Sequence, residues 1–140
     1  MYCSLARYEP QEIPSGPYTL LTFPDVSSDE LSMGQGAQGI ILPAAAGDGI
    51  LELNVHWAAG DYTELRDVFV RDPYGSTGNA SLVDNRTGYD HRPPSPGIQC
   101  FDKFHMIKVE PGVPLGVYVS QNSGAPVSVT HAQFKLKILP

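Results

Sequence analysis

Apolar and polar residues alternate along the last third of the chain, from Gly97 to Pro140. Within the run Val127 to Leu139, apolar and polar side chains alternate from Ala132 to Ile138. The apolar positions are Ala132, Phe134, Leu136 and Ile138, and the polar ones are Gln133, Lys135 and Lys137. A period of two places successive side chains on opposite faces of a β-strand. The same argument predicts a strand over Leu115 to Gln121 and another that ends at Val109, with turns that contain Pro or Gly between them.

The upstream part of the chain predicts further short strands. The clearest is Ile50 to Trp57, in which every second residue, from Leu51 to Trp57, is apolar. The other runs are Cys3 to Tyr8, Tyr18 to Phe23, Ile40 to Leu42 and Thr63 to Arg71. Two polar stretches are predicted loops, Asp25 to Gly39 and the longer Asp72 to Gly97. With no convincing amphipathic helix and no internal repeat, about eight to ten short antiparallel strands predict an all-β sandwich or jelly roll.

Composition limits the size and the partners of the protein but does not indicate a catalytic or binding chemistry. The 140 residues suffice for one domain with a core, and 41% hydrophobic residues are ordinary for a globular protein. A net charge of −6 disfavours nucleic acid or an anionic membrane as a direct partner. No apolar run approaches the ~20 residues that span a bilayer. The opening MYCSLARYEP lacks a charged and then apolar leader, so we expect a protein that is not secreted by the usual route.

The residue types that bind metals are scattered along the chain. Cys3 and Cys100 lie in strand-like runs, where buried free thiols are favoured over a disulfide between them. The histidines are His56, His91, His105 and His131, and their spacing matches no zinc motif. We therefore expect no metal and no cofactor.

The long polar stretch offers oxygen ligands but no recognisable ion site. Its acidic and amide residues include Asp72, Asp84, Asp90, Asn79 and Asn85. These could bind Ca²⁺, but the EF-hand spacing is absent, and a solvated loop is the favoured interpretation. No nucleophile elbow or phosphate-binding loop accompanies them, so we expect no catalysis.

The order of several short motifs resembles the C1q/TNF-like jelly rolls found in bacteriophage structural proteins. A strand after a Pro/Gly turn runs to the Trp57-Ala58 pair, and Arg66 follows in the next strand. Near the end, a Pro-Gly turn leads into a strand that closes on Gln121 to Gly124. The resemblance spans Ile13 to Leu139. The chain departs from the animal family in lacking a collagen stalk and a secretion signal.

This resemblance implies a single C1q/TNF-like jelly roll in residues 18–140, with a long loop at 72–97 and an extended N-terminal arm at 1–17. It also implies a homotrimer without catalysis. Stand-alone phage chains of this size resemble head decoration, or minor capsid, proteins, so the predicted partner is the major capsid protein on the outer surface of the virion. One alternative is a receptor- or glycan-binding head of a tail fibre or baseplate, with Tyr74 and Tyr89 as exposed aromatic candidates. Another is a cupin-like enzyme, which needs histidines that converge on a metal.

Two apolar residues interrupt the polar face of the strand that ends at Val109. Phe104 and Met106 lie on the face opposite Ile107 and Val109. A strand that is apolar on both faces is either central or covered by another chain. These residues therefore either join a subunit interface or return to the core through a bulge.

The remaining contact candidates follow from the polar faces and from the N-terminus. The predicted trimer interface comprises His56, Phe104, Met106, Tyr118 and Gln133, on strands that we expect in or near the same sheet. For His56, Tyr118 and Gln133 the alternative, which the residues alone favour, is an ordinary surface position. The predicted capsid-binding arm comprises Tyr2, Leu5, Tyr8 and Ile13. This arm is predicted because Pro10, Pro14 and Pro17 favour an extended chain that lies along another protein.

Overall fold

The computed structural model describes residues 1–75, 81–82, 89–91 and 99–140. These residues form β-strands and one 3₁₀ helix, Gly36–Gln38. The strands are β1 (Tyr2–Arg7), β2 (Gln11–Ile13), β3 (Thr19–Leu20), β4 (Asp25–Asp29), β5 (Gly34–Gln35), β6 (Ile40–Ile41), β7 (Gly47–Trp57), β8 (Leu65–Arg71), β9 (Ser81–Leu82), β10 (Tyr89–His91), β11 (Gln99–Val109), β12 (Leu115–Gln121) and β13 (Val127–Ile138). Within this part of the chain, no helix is long and apolar enough to cross a membrane.

The strands form two sheets. Within each sheet, all paired strands run antiparallel. Sheet A has the order β11-β7-β13-β1-β4, with β2 also paired to β13. Sheet B has the order β10-β8-β12-β6-β5, with β3 paired to β12 and β9 to β8. This arrangement confirms the predicted all-β sandwich.

The core lies between the two sheets and consists of the inward positions of the predicted alternation. In β7, Leu51, Leu53, Val55 and Trp57 are at most 3% exposed, and in β13, Ala132, Phe134, Leu136 and Ile138 are at most 1% exposed. The Phe134 ring centroid lies 5.6 Å from that of Phe23 and 6.0 Å from that of Phe69, so aromatic rings connect the sheets. Burying each such side chain contributes roughly 1.5–3 kcal/mol, which makes these alternating strands the main source of stability.

A buried ion pair also links the sheets. Lys103 Nζ, on β11, donates a hydrogen bond to the Asp67 carbonyl oxygen on β8 at 2.7 Å and lies 3.6 Å from the Asp67 carboxylate. The two side chains are only 2% and 1% exposed, and the ammonium lies 5.1 Å from the centre of the Phe69 ring. A buried charge needs such partners because its desolvation is costly. The pair holds the edge strand β11 against sheet B.

The prediction of a loop over Asp25 to Gly39 is wrong in part. β4 pairs with β1, and β5 pairs with β6. Between them the Asp29 carboxylate accepts hydrogen bonds from the backbone N–H groups of Met33 and Gly34, at 2.7 and 2.8 Å. The alternation is weak here because β4 is an outer strand of sheet A, and its one large apolar residue, Val26, is 54% exposed. Conversely, the predicted strand over Tyr18 to Phe23 is shorter in the structure, since only Thr19–Leu20 forms a strand.

The N-terminal arm is also corrected by the structure. β1 lies inside sheet A, between β13 and β4, and β2 pairs with β13. Residues 1–17 are therefore part of the sandwich. Leu5 and Ile13 are fully buried, so they cannot serve as anchors on another protein. The sequence was misleading because Pro10 and Pro14 flank β2 without interrupting it.

Candidate functional site

The outer face of sheet A, turned away from the core, collects all but one of the predicted interface residues. Strand register places Phe104 opposite Glu52, Met106 opposite Ile50 and Gln133 opposite Asn54. His56 lies in the next row, opposite Cys100 on one side and His131 on the other. His56, Phe104, Met106 and Gln133 therefore share one surface, which extends over β11, β7 and β13.

One end of this face is apolar. Phe104 and Met106 are each 66% exposed. They lie on β11, an outer strand of sheet A, and its register with β7 is unbroken from Gln99 to Val109. The bulge that would return these side chains to the core is absent from this strand, so that alternative is wrong. Half-buried Ile50 continues the apolar area onto β7.

The middle of the face is a polar depression of about 310 Å³. It is lined in part by Glu52, Asn54, Asp102, Phe104, Gln133 and Lys135. Asn54 Nδ2 donates a hydrogen bond of 2.6 Å to the Asp102 carboxylate across the β7–β11 pair. The depression is open and contains both signs of charge, so its residues favour contact with a polar surface.

The other end of the face brings a thiol and two imidazoles together. Cys100 Sγ lies 3.4 Å from His56 Nε2, and Asn54 Nδ2 donates a weak hydrogen bond of 3.6 Å to the same sulfur. The His56 and His131 ring centroids are 5.8 Å apart with the rings edge to face, and the Tyr8 ring lies 6.5 Å beyond His131. Tyr8 itself is 56% exposed.

Sequence reasoning missed this cluster because Cys100 and His56 are 44 residues apart. The available signal was that each residue occupies an outward position of its own strand. That signal becomes useful only when the register between β7 and β11 is known. The histidines therefore looked scattered in the sequence, although His56 and His131 are neighbours in the fold.

The two cysteines have different surroundings. Both are free thiols, but Cys3 is buried and Cys100 is exposed, so the expectation of burial is wrong for Cys100. Burial, with the nearby Asp29 carboxylate, raises the pKa of Cys3 from 9.0 to about 12. Cys3 therefore behaves as a small apolar core residue, whereas Cys100 is accessible for chemistry.

Tyr118, the remaining predicted interface residue, does not belong to this face. It lies on β12 in sheet B, and its neighbours Val117 and Val119 fill the core. Alternation therefore turns Tyr118 outward on the opposite side of the sandwich. Its ring stacks on Tyr18 at 5.9 Å and 25°, and its hydroxyl donates a hydrogen bond of 3.2 Å to the Pro73 carbonyl.

Tyr74 follows Pro73 in the chain, and the Pro73 carbonyl accepts the hydrogen bond from Tyr118. Tyr74 is 58% exposed, and its hydroxyl donates a hydrogen bond to the Gln38 carbonyl. We call Tyr18, Tyr74 and Tyr118 the tyrosine patch. Tyr89 belongs to β10, but its side chain lies outside the described residues, as do Asn79, Asp84 and Asn85.

The described residues of the types that bind metal ions do not form a metal site. Among the residues that the structure describes, no group of three or more His, Cys, Asp or Glu side chains is arranged to hold a metal ion. Cys100, His56 and His131 are thus close together but are not arranged around an ion in this conformation.

Comparisons with known proteins address the fold. No protein-family model matches the chain, and no curated protein matches it. Solved structures do. The globular domain of zebrafish complement 1qA protein superimposes with a TM-score of 0.71 at 14% identity, covering 99% of this chain and 97% of that one.

Murine APRIL, a TNF-like domain, gives a similar result in two crystal structures. The structure at pH 5.0 has a TM-score of 0.62 at 14% identity, and the structure at pH 8.0 has 0.60 at 12% identity. Each covers 99% of this chain and 100% of that one. The chain therefore has the predicted C1q/TNF-like jelly-roll fold.

Proposed function

We propose that this protein is a non-catalytic structural protein that assembles as a homotrimer and decorates the outer surface of a bacteriophage head. The observation that carries the proposal is the exposed apolar end of sheet A, formed by Phe104 and Met106. The phage assignment is supported by the motif order in the sequence, from the Trp57-Ala58 pair to the strand that closes on Gln121 to Gly124.

The apolar end favours contact with other copies of the chain. Aromatic residues and Met are enriched at protein interfaces, and each buried apolar Å² contributes about 25 cal/mol. Phe104 and Met106 also lie on an outer strand, and an open strand edge favours uncontrolled association. A closed ring of three copies satisfies these surfaces and leaves none for further growth.

A trimer would bind the capsid through several weak contacts at once, which raises the overall affinity by multivalency. Since Leu5 and Ile13 belong to the core, the contact is assigned to exposed residues near the N-terminus, of which Tyr8 is the largest. Deletion of residues 1–12 is not a clean test of this contact because it removes β1 from the inside of sheet A.

The first experiment is light scattering after size exclusion. A homotrimer has a mass of about 45 kDa, three times the 15.1 kDa of one chain. A monomer at all accessible concentrations would overturn the proposed assembly.

The second experiment is co-sedimentation of the protein with empty phage heads that lack it. We expect binding by the native protein and loss of binding by Tyr8→Asp, with the trimer mass unchanged. Binding of neither protein would contradict the decoration role, and equal binding of both would contradict the assignment of Tyr8.

A second candidate function, a receptor- or glycan-binding head, is favoured by the tyrosine patch. Stacked, partly exposed rings are suited to contact with the apolar faces of sugars. A glycan array distinguishes the two functions, since specific binding that is lost in Tyr18→Ser and Tyr74→Ser would support the second. No binding on the array together with co-sedimentation would support decoration.

A further inference from the structure

We propose that Cys100, His56 and His131 bind a divalent metal ion of the zinc type on the outer face of sheet A. The three residues occupy one row across the adjacent strands β11, β7 and β13, with His56 in register with both of the others. Thiolate and imidazole are the ligands that Zn²⁺ prefers in proteins. The site needs one chain only and does not depend on trimer assembly.

The first pair of ligands is already spaced for a shared metal ion. With Zn–S near 2.3 Å and Zn–N near 2.0–2.1 Å, tetrahedral geometry separates a sulfur and a nitrogen ligand by roughly 3.5 Å. Cys100 Sγ and His56 Nε2 lie 3.4 Å apart. Without an ion, the same pair makes a thiol–imidazole hydrogen bond at this distance, so an ion could replace the shared proton with little movement of either side chain.

The second pair is close to the required spacing. Two imidazoles on one tetrahedral Zn²⁺ have ring centroids about 5 Å apart, given the same Zn–N distance. The His56 and His131 centroids lie 5.8 Å apart. His131 is exposed, and its Nδ1 makes a long contact of 3.3 Å with Thr130 Oγ1. Exposed side chains change rotamer within nanoseconds, so His131 can complete the set when an ion arrives.

The surroundings hold the Cys100 side chain in position. Asn54 donates a hydrogen bond toward the Cys100 sulfur and another to Asp102. Hydrogen bonds of this kind orient metal ligands. The nearby cation, Arg7, is directed elsewhere, because its guanidinium donates to the Thr22 and Glu9 carbonyl oxygens at 2.8 and 2.6 Å.

The consequence of binding would be mechanical. An ion held by β11, β7 and β13 would tie the outer strand β11 to two strands of sheet A. Three protein ligands leave a fourth position for water or for a group from another molecule. The ion would therefore raise stability and offer one exchangeable coordination position on this face.

The test is a titration of the reduced protein with Zn²⁺ in competition with a chromophoric chelator. We expect one Zn²⁺ per chain, with affinity reduced by roughly tenfold or more in Cys100→Ser, His56→Gln and His131→Gln. The matched control is His105→Gln, a histidine on β11 whose ring packs on Phe69 outside the row, and it should bind as the native protein does.

Cobalt supplies an independent readout. Co²⁺ bound to the native protein should show thiolate-to-metal absorption, which should be absent in Cys100→Ser. Absence of Zn²⁺ binding by the native protein, or unchanged affinity in any of the three ligand variants, would overturn the site.

A variant with Phe104→Asp and Met106→Asp separates this inference from the proposed function. Retained Zn²⁺ binding would support a site within one chain, whatever the mass of the variant. Loss of binding would overturn it in favour of an ion shared between copies.

Discussion

The two outer faces of the sandwich carry different kinds of side chain, although both faces arise from the same alternation of apolar and polar residues along the strands. On sheet A the outward positions carry exposed Phe104 and Met106 at one end and the Cys100 and His56 pair at the other. On sheet B they include the stacked rings of Tyr18 and Tyr118, and the Tyr118 hydroxyl is bonded to the protein's own backbone.

This difference predicts different roles for the outer faces of sheets A and B. The exposed apolar side chains on sheet A are suited to contact with another protein surface. The tyrosine patch is held in place by internal contacts and is suited to a preformed binding surface. Substitutions on one face should therefore leave the other face intact.

The largest expected effect is loss of assembly when the apolar end of sheet A is made acidic. Phe104→Asp with Met106→Asp should reduce the mass from about 45 kDa to the 15.1 kDa of one chain, because burying two carboxylates opposes association. Light scattering measures this change. Tyr18→Asp, on sheet B, is the control and should remain trimeric; a trimeric double variant would contradict the assignment of the face.

The second largest effect is expected at the buried Lys103–Asp67 ion pair, which links the two sheets. Lys103→Met should lower the free energy of unfolding by about 3–5 kcal/mol, because it removes one partner of a buried ion pair and leaves the Asp67 carboxylate inside the sandwich. Urea denaturation measures the loss. Lys135→Met, on the outer face of sheet A, should change stability by no more than about 0.5 kcal/mol. Equal effects of the two substitutions would contradict this description of Lys103.

A smaller effect is expected at the tyrosine patch. Tyr118→Phe removes the hydrogen bond to the Pro73 carbonyl and should destabilise the protein by about 1 kcal/mol, while the trimer mass stays constant. Thermal unfolding measures the shift. Tyr8→Phe is the exposed control, and a mass change in Tyr118→Phe would mean that sheet B, not sheet A, contributes to assembly.

The smallest perturbation is chemical labelling of the two thiols, which needs no substitution. Because the pKa of Cys3 is raised to about 12, its thiolate is scarce at pH 8, roughly one molecule in ten thousand. Iodoacetamide should therefore modify Cys100 rapidly and Cys3 only after unfolding, which peptide mass spectrometry resolves. Comparable labelling of both cysteines in the native state would show that β1 opens readily.

The sequence predicted the strands whose two faces differ most. The alternations in β7 and β13 were read correctly because their inward residues, such as Leu53 and Phe134, have polar neighbours on both sides. β4 was missed because an outer strand with little buried area carries little hydrophobic signal. The N-terminal strands were misread because prolines beside β2 resembled those of an extended arm.

The candidate site was predicted less completely than the fold. Phe104 and Met106 were identified from their pattern, but two locations remained open for them until the unbroken register with β7 placed them in solvent. Tyr118 was assigned to the wrong face because sequence alone does not say which sheet a strand joins. Cys100 was expected to be buried because its apolar neighbours resembled a core strand.

Each strand's own side chains encode which of its faces is apolar, and this local property sufficed to predict an all-β sandwich from the residues. Partnership between strands depends on contacts that are distant in the sequence, and those contacts form only when the whole sandwich closes. The fold therefore determined that Cys100 meets His56, that Lys103 reaches Asp67, and that Phe104 shares a surface with Gln133.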